Sequence, residues 1–511
     1  MRLRPLVSAL LCFGLVLPFV GKPVHVDDAN FLVLAEGAAA DPWRPHAVTI
    51  NWQGTTERAF DVLSNPPGVA WWLAPVVDAP VAWQHLWMLP WLALALFGAW
   101  RLGRAFAGDG VAGLLVLGTA PVVALAAQSL TPDLPLLACA LAGVGGFLTS
   151  PKRAWAWALV AGAAALFRYS GVCLIPLLLF AGWQRGRLRA AALSAAPLAA
   201  LLLHDLAAYG EVHLLAMTGF QSVSNTPREV LRKGIAALAM LGGVGVLPLL
   251  APGRRGALGA LAGAALGLVG AWISGHDGAQ AAATVAFTAA GGAAFGSLRL
   301  SRPEDRLLAA WTVGGFMFLL TLRFTAARYW LPFLAGPALA ALRAGVGPRR
   351  LAAAIAVNAL VALGVSFDDL EMARGWQRVA AEVSARGSGQ FAGHWGWQRA
   401  MEAAGWRALE EGEVPTGLFA VAWAPWPQEP GAAACLVPVD QWVIEDRFFG
   451  PRVHTAAGAA NVHAFVVAGL PPTETYAPWT LSDEPYDRVS LYRPCGAALE
   501  GPAETGQNPP P

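Results

Sequence analysis

The eighteen residues Gly110-Val111-Ala112-Gly113-Leu114-Leu115-Val116-Leu117-Gly118-Thr119-Ala120-Pro121-Val122-Val123-Ala124-Leu125-Ala126-Ala127 contain no charged side chain. A run of that length and polarity is what a helix needs to cross the roughly 30 Å hydrocarbon layer of a bilayer. Outward from it, the next run covers residues 133 to 149 and carries a single acid at its first position, while the run before it covers 83 to 100. Similar stretches lie near 5 to 20, 154 to 167, 169 to 183, 190 to 207, 234 to 250, 257 to 273, 279 to 297, 307 to 322, 328 to 342 and 351 to 366, giving thirteen candidate spans. Hydrophobic residues make up 56% of the 511 and charged residues only 13%, against about a quarter charged in soluble domains. So little polar surface cannot cover a water-soluble fold.

Basic residues fall in every second loop: Arg2 and Arg4, Arg101 and Arg104, Lys152 and Arg153, Arg185 to Arg189, Arg254 and Arg255, Arg299 to Arg306, and Arg343 to Arg350. Such residues favour the cytoplasmic side, which predicts a cytoplasmic N-terminus and, after thirteen spans, an extracytoplasmic C-terminal region. Arg2 and Arg4 before a short apolar run also fit a signal peptide, but no small-x-small site precedes Lys22 and Pro23. Arg168, Arg228, Arg232, Lys233, Arg323 and Arg328 are exceptions, falling in the opposite loops. The net charge of +2, with arginines scattered between apolar runs, gives no nucleic-acid footprint.

The expected fold is therefore a polytopic α-helical membrane protein with about thirteen transmembrane helices over residues 1–366. Its first outer loop spans 21–82, and a small α/β extracytoplasmic domain follows over 367–511. Short apolar pieces broken by Gly and Pro, such as 417–421 and 462–467, read as strands of that domain. Gly259, Gly263 and Gly267 recur every fourth residue, which suits close helix packing. Cys435 and Cys495 share the polar region, where a disulfide could form. No spaced His and Cys ligand set supports a zinc site.

Several outer-side residues carry possible chemistry. Asp27 and Asp28 directly follow the first span; one of them could serve as a general base, or the pair could simply open a helix. Asp133, in Thr131-Pro132-Asp133-Leu134-Pro135, has the same two readings. Arg168 and Arg328, the latter followed by Tyr329, either bind phosphate with a planar fork or snorkel to headgroups. Asn65-Pro66-Pro67 precedes Trp71 and Trp72 in the long first loop, a pattern for a proline-opened interfacial helix.

Five segments together resemble the GT-C fold, polyprenyl-phosphate-sugar-dependent membrane glycosyltransferases of the protein O-mannosyltransferase and aminoarabinose transferase type. They are Val26-Asp27-Asp28-Ala29-Asn30-Phe31, Asn65-Pro66-Pro67-Gly68, Thr131-Pro132-Asp133-Leu134-Pro135-Leu136, Phe167-Arg168-Tyr169-Ser170-Gly171 and Arg328-Tyr329-Trp330-Leu331-Pro332. The resemblance covers residues 1 to about 366. It implies sugar transfer from a polyprenyl-phosphate donor to a lipid, glycan or protein acceptor on the outer face, with inversion. Asp27 would be the base, Asp28 and Asp133 would shape the catalytic pocket, and Arg168, Arg328 and Tyr329 would hold the donor phosphate. Asn65, Pro66 and Pro67 would belong to the substrate loop. Two departures stand out: Asp28 replaces the more usual glutamate, and Asn65 stands where the aminoarabinose enzymes have lysine. No cofactor is expected; adjacent aspartates could hold a hard cation, but such relatives usually need none. The lack of an N-x-Ser/Thr sequon favours a bacterial inner membrane. The competing readings are a transporter or lipid flippase, which would place charges near mid-membrane, and a sensor whose membrane part only anchors it.

Overall fold

The computed structural model describes residues 3–221, 226–245, 249–250, 253–276, 278–445, 450–453, 462–463, 465–466, 476–481 and 484–495. The protein is a polytopic helical membrane protein with a small C-terminal sheet domain. A helix stands at each of the thirteen expected positions. Among the described residues, however, only Val81–Ala107, Leu188–Tyr209, Gly253–Ser274 and Pro348–Ser384 are long and apolar enough to cross a membrane unbroken. The stretch at 110–127 shows why. Asp109 accepts hydrogen bonds from the Val111 and Ala112 amides and so caps the helix Gly110–Gly118. Pro121 has no N–H and its ring would strike the preceding turn, so the chain stops and restarts as Pro121–Ala127, bent by 70°. The expected pair of spans around Arg168 is likewise divided into Ala154–Gly162, Ala164–Phe167 and Leu174–Gln184, with Arg168 itself extended at φ −154° and ψ 138°.

Glycine lets these helices approach closely. A Cβ on Gly98 would lie 2.3 Å from the Leu141 carbonyl carbon and the Ala142 nitrogen, which seats Val81–Ala107 on Asp133–Thr149. The Gly259, Gly263 and Gly267 stripe packs Gly253–Ser274 on Gly278–Gly296, where a Cβ on Gly263 would meet the Thr288 carbonyl oxygen at 2.2 Å.

The helices have two distinct polar ends. At one, Arg101 donates to Thr149 Oγ1 at 2.6 Å, Arg187 to the Phe147 carbonyl at 3.3 Å, and Arg343 to the Phe106 carbonyl at 2.9 Å and Asp305 at 2.6 Å. Asp133 stands at the other end of the 17-residue helix Asp133–Thr149, about 25 Å away at 1.5 Å per residue. Around Asp133 gather Asp27, Arg168 and Arg328. Arg168 and Arg328 thus lie at the end opposite Arg101, Arg187 and Arg343.

The helix Pro348–Ser384 continues through residue 366 without a break, exchanging an apolar surface for an amphipathic one that buries Met372, Trp376, Val379, Ala380 and Val383. Short hairpin strands β1 (Thr49–Asn51) and β2 (Thr56–Arg58) lie in the first loop, and β3 (Phe324–Thr325) precedes Arg328. In the C-terminal region, β4 (Gly389–Ala392), β5 (Arg407–Ala408), β6 (Leu418–Ala422), β7 (Leu436–Ile444) and β9 (Asp487–Pro494) form a mixed sheet in the order β5-β4-β6-β9-β7. The β4–β5 pair is parallel, joined by the helix Trp395–Ala403 as a parallel connection requires. Strand β8 (Phe465–Val466) leaves that sheet and pairs antiparallel with β3. Cys435 and Cys495 form a disulfide between the facing ends of β7 and β9. The first loop grips this domain: Gln398 Nε2 donates to the Asn51 carbonyl at 3.0 Å, Asn51 Nδ2 to the Leu409 carbonyl at 3.1 Å, and Arg399 pairs with Glu36 at 2.6 Å.

Candidate functional site

Asp27 stands where the chain leaves the first helical segment and enters the helix Asp28–Ala40. It is in the N-cap position yet makes no side-chain cap bond. Its carboxylate instead takes a hydrogen bond and ion pair from Arg328 Nη2. Arg328 also faces Asp133, with Nη1 3.6 Å from Oδ2. Asp133 in turn accepts from Arg168 Nη1 and from Thr131 Oγ1 at 3.3 Å. The guanidinium of Arg168 lies over the Tyr329 ring, 4.3 Å from its centroid, a cation–π seat that fixes the fork in a plane. Acid, base, acid and base thus alternate through Asp27, Arg328, Asp133 and Arg168, residues from four separate segments. Asp133 is 3% exposed, whereas Arg328, Arg168 and Asp27 are 12%, 14% and 19% exposed, so the two cations and Asp27 keep some contact with solvent where Asp133 keeps almost none. Burial disfavours charge on Asp27, but Arg328 beside it, with smaller help from His463 and Arg168, holds its carboxyl below the usual range.

Asp28 points the other way and is buried. Its Oδ1 accepts from the Leu130 amide at 2.7 Å and its Oδ2 from the His25 amide at 3.2 Å. It therefore ties the turn that carries Asp27 to the turn that carries Asp133, a shaping role rather than contact with the arginines. Burial pushes its carboxyl up to about 7, against the pull of Lys22 and the two amides. Val26, between His25 and Asp27, has φ +44°. A β-branched residue rarely adopts that region, and holding it there costs about 1–3 kcal/mol. The fold stores strain immediately beside Asp27.

The Asn65-Pro66-Pro67 loop is positioned by two histidines that the sequence did not single out. His46 Nε2 meets the Asn65 carbonyl at 2.9 Å and His213 Nε2 meets the Leu63 carbonyl at 2.9 Å. Carbonyls only accept, so both rings donate from Nε2. His213 Nδ1 can then accept from the Tyr169 hydroxyl, 2.7 Å away. Both rings are held neutral: burial pushes His46 down to about 3 and His213 down to about 4. Beyond the prolines, the helix Gly68–Leu73 carries Trp71 and Trp72. A Cβ on Gly68 would stand 2.3 Å from the Leu166 carbonyl oxygen, which leaves the loop docked two residues before Arg168.

No family model matches the chain, and neither does any curated protein. Among solved structures, the chain is similar to ArnT from Cupriavidus metallidurans bound to undecaprenyl phosphate, at 16% identity and a TM-score of 0.42, over 76% of this chain and 72% of that one. The apo state of the same protein gives 14% identity and a TM-score of 0.42, over 76% and 73% of the two chains. The arabinofuranosyltransferase AftD from Mycobacteria gives 15% identity and a TM-score of 0.41, over 96% of this chain but 40% of that one. Likenesses this loose do not assign a family.

A second charged cluster lies just behind Asp28 and was not read from the sequence. Asp369, on the helix Pro348–Ser384, pairs with Lys22 at 2.6 Å, His25 at 3.1 Å and His463 at 2.8 Å. Its neighbour Asp368 accepts from the Tyr486 hydroxyl at 2.7 Å and the Val453 amide at 2.6 Å. The available signal was the pair Asp368-Asp369 at the end of the last apolar run, which repeats the placement of Asp27-Asp28 after the first. The segment that brings His463 also meets the first cluster, since the Arg328 amide donates to the Val462 carbonyl at 3.3 Å.

Proposed function

We propose that the protein is a membrane glycosyltransferase that moves a sugar from a polyprenyl-phosphate donor to a lipid, glycan or protein acceptor on the extracytoplasmic face. The observation that carries this reading is the alternating lattice of Asp27, Arg328, Asp133 and Arg168, assembled from distant segments and open to solvent through its cations. A phosphate needs two cationic forks, and a hydroxyl or amine nucleophile needs a carboxylate. The lattice offers both within one ion-paired unit.

In this reading the donor phosphate competes with the carboxylates for Arg328 and Arg168, and Tyr329 keeps the Arg168 fork in plane. Arg328 turned toward phosphate leaves Asp27 unpaired and able to accept a hydrogen bond from the acceptor. The acceptor oxygen or nitrogen attacks the anomeric carbon as the bond from that carbon to the phosphate oxygen breaks. The proton passes to Asp27 and the electron pair leaves on the polyprenyl phosphate, whose charge the two arginines stabilise. A single in-line displacement inverts the anomeric centre. The lipid phosphate is already a good leaving group, so no second carboxylic acid is required. Asp28 and Asp133 hold the two turns in register, and Asn65, Pro66 and Pro67 border the substrate. The gathering of Asp27, Arg328, Asp133 and Arg168 at the end opposite Arg101, Arg187 and Arg343 supports a cytoplasmic N-terminus and an extracytoplasmic C-terminal domain, and the same reading takes the membrane to be a bacterial inner membrane.

The test is release of free polyprenyl phosphate by membranes containing the protein or its Asp27→Asn variant. The expected loss is about 10²–10⁴-fold, the usual worth of a general base, with unchanged membrane insertion. Full release by Asp27→Asn would remove the base. Movement of the lipid across the bilayer without cleavage of the sugar would make the protein a transporter or flippase.

A further inference from the structure

The cluster around Asp369 has a geometry that a simple ion pair does not require. Asp369 Oδ1 lies 3.1 Å from His25 Nε2 and 2.8 Å from His463 Nε2, and one donor atom from each of the three side chains falls within 4.8 Å of the other two. Asp369 Oδ2 is taken separately by Lys22 Nζ at 2.6 Å. The Lys22 carbonyl is itself met by His85 Nε2 at 3.2 Å. Lys22 and Asp369 are fully buried, and His463, on the C-terminal segment, is 11% exposed and the most exposed member of the cluster.

Two imidazole nitrogens converging on one carboxylate oxygen are the donor set of a three-ligand metal centre. Zinc bonds of about 2.0–2.2 Å in tetrahedral geometry set ligand atoms roughly 3.3–3.5 Å apart, so the Asp369 oxygen and each imidazole nitrogen need part by only tenths of an ångström, while the two nitrogens, within 4.8 Å of each other, must settle at the same spacing. The nitrogen content selects a borderline ion over magnesium or calcium, which prefer oxygen. Lys22 orients the carboxylate from outside, as the outer partners of metal ligands do. Its positive charge also weakens the attraction for a cation, which points to moderate affinity.

We propose that His25, Asp369 and His463 form a zinc-class metal site that pins the C-terminal segment to the first loop and to the last long helix. The ion would fix Val462 and His463, and through the Val462 carbonyl the backbone of Arg328. This proposal goes beyond the glycosyltransferase reading and stands or falls without it, because its test reads no transfer activity.

The full-length chain in detergent, stripped with a chelator and dialysed against micromolar Zn²⁺, is expected to hold about one zinc per chain and to unfold at a higher temperature than the stripped protein. His463→Ala, at the partly exposed ligand, and Asp369→Asn are each expected to lower bound zinc at least about tenfold and to abolish the rise in Tm. Replacing Zn²⁺ with Co²⁺ should give the visible absorption of a low-symmetry nitrogen and oxygen site in the wild type. The proposal is overturned if a monodisperse wild type binds less than about a tenth of an equivalent, or if His463→Ala retains full zinc. It is also overturned if Mg²⁺ raises Tm as much as Zn²⁺ does. Wild-type stoichiometry and the Co²⁺ spectrum decide the matter even where a variant fails to fold.

Discussion

Two charged clusters, within a few residues of each other along the first loop, differ in what they leave open. In the first, Asp27, Arg328 and Arg168 keep 12–19% of their side-chain surface exposed and each cation is shared or stacked. In the second, Lys22 and Asp369 keep none, His25 keeps 1% and His463, at the edge, keeps 11%. The Lys22–Asp369 pair at the heart of the second, with neither partner exposed, cannot be exchanged for a ligand without breaking the fold, whereas a partly open pair can. The sealed cluster therefore belongs to architecture, and the open one is where an anion can displace a carboxylate. Variants of each should fail in different ways: loss of activity with an intact fold for the open cluster, loss of fold for the sealed one.

The largest separation is expected from Arg328→Met. Removing the cation shared by Asp27 and Asp133 should lower donor turnover by about 10²–10³-fold, the scale of losing one group that stabilises leaving-group charge. Its effect on Tm should be smaller than that of breaking a fully buried pair, since Arg328 and Asp27 keep 12% and 19% of their side-chain surface exposed and Asp133 retains Arg168. Lys22→Met is the counterpart. It leaves Asp369 buried without its ammonium partner, which costs about 3–5 kcal/mol and should appear as a marked fall in Tm in detergent. Equal losses of stability in the two variants would erase the distinction between the clusters.

The two regions also differed in how far the sequence revealed them. Asp27, Asp133, Arg168 and Arg328 stand out because each interrupts or borders an apolar run, and a charge in such company is expensive enough to need a reason. Lys22 and Asp369 are 347 residues apart, and His463 lies 94 residues beyond Asp369. No local pattern joins them; only the folded helices do. Hydropathy found the apolar runs that hold helices but not the breaks within them, because Pro121 and the extended Arg168 act through backbone geometry while the surrounding composition stays apolar. It also lost the helix Pro348–Ser384 after residue 366. From there Met372, Trp376, Val379 and Val383 bury one stripe at helical spacing, so the periodicity persists where the mean hydropathy falls.

Arg168→Lys probes the open cluster more finely. Lysine keeps the charge but loses the planar fork and most of the stacking on Tyr329, 4.3 Å from the guanidinium carbon. A stacked, partly desolvated cation is worth about 1–2 kcal/mol, so donor affinity should fall roughly tenfold with little change in Tm. A variant indistinguishable from wild type would show that Arg168 serves Asp133 alone.

The smallest expected effect tests position instead of charge. Gly68 follows the Pro66-Pro67 loop, and a Cβ there would meet the Leu166 carbonyl oxygen at 2.3 Å and the Leu166 carbonyl carbon at 2.8 Å. Both are backbone atoms, so the clash cannot be relieved by turning a side chain. Gly68→Ala must push the loop away from the turn that carries Arg168, at about 1–3 kcal/mol of overpacking. Because the hydrogen bonds from His46 and His213 still hold Asn65 and Leu63, the displacement should stay local and the protein should remain folded. Donor KM should then rise by a few fold with turnover nearly intact, whereas a fall in turnover at saturating donor would place Gly68 close to the reacting atoms.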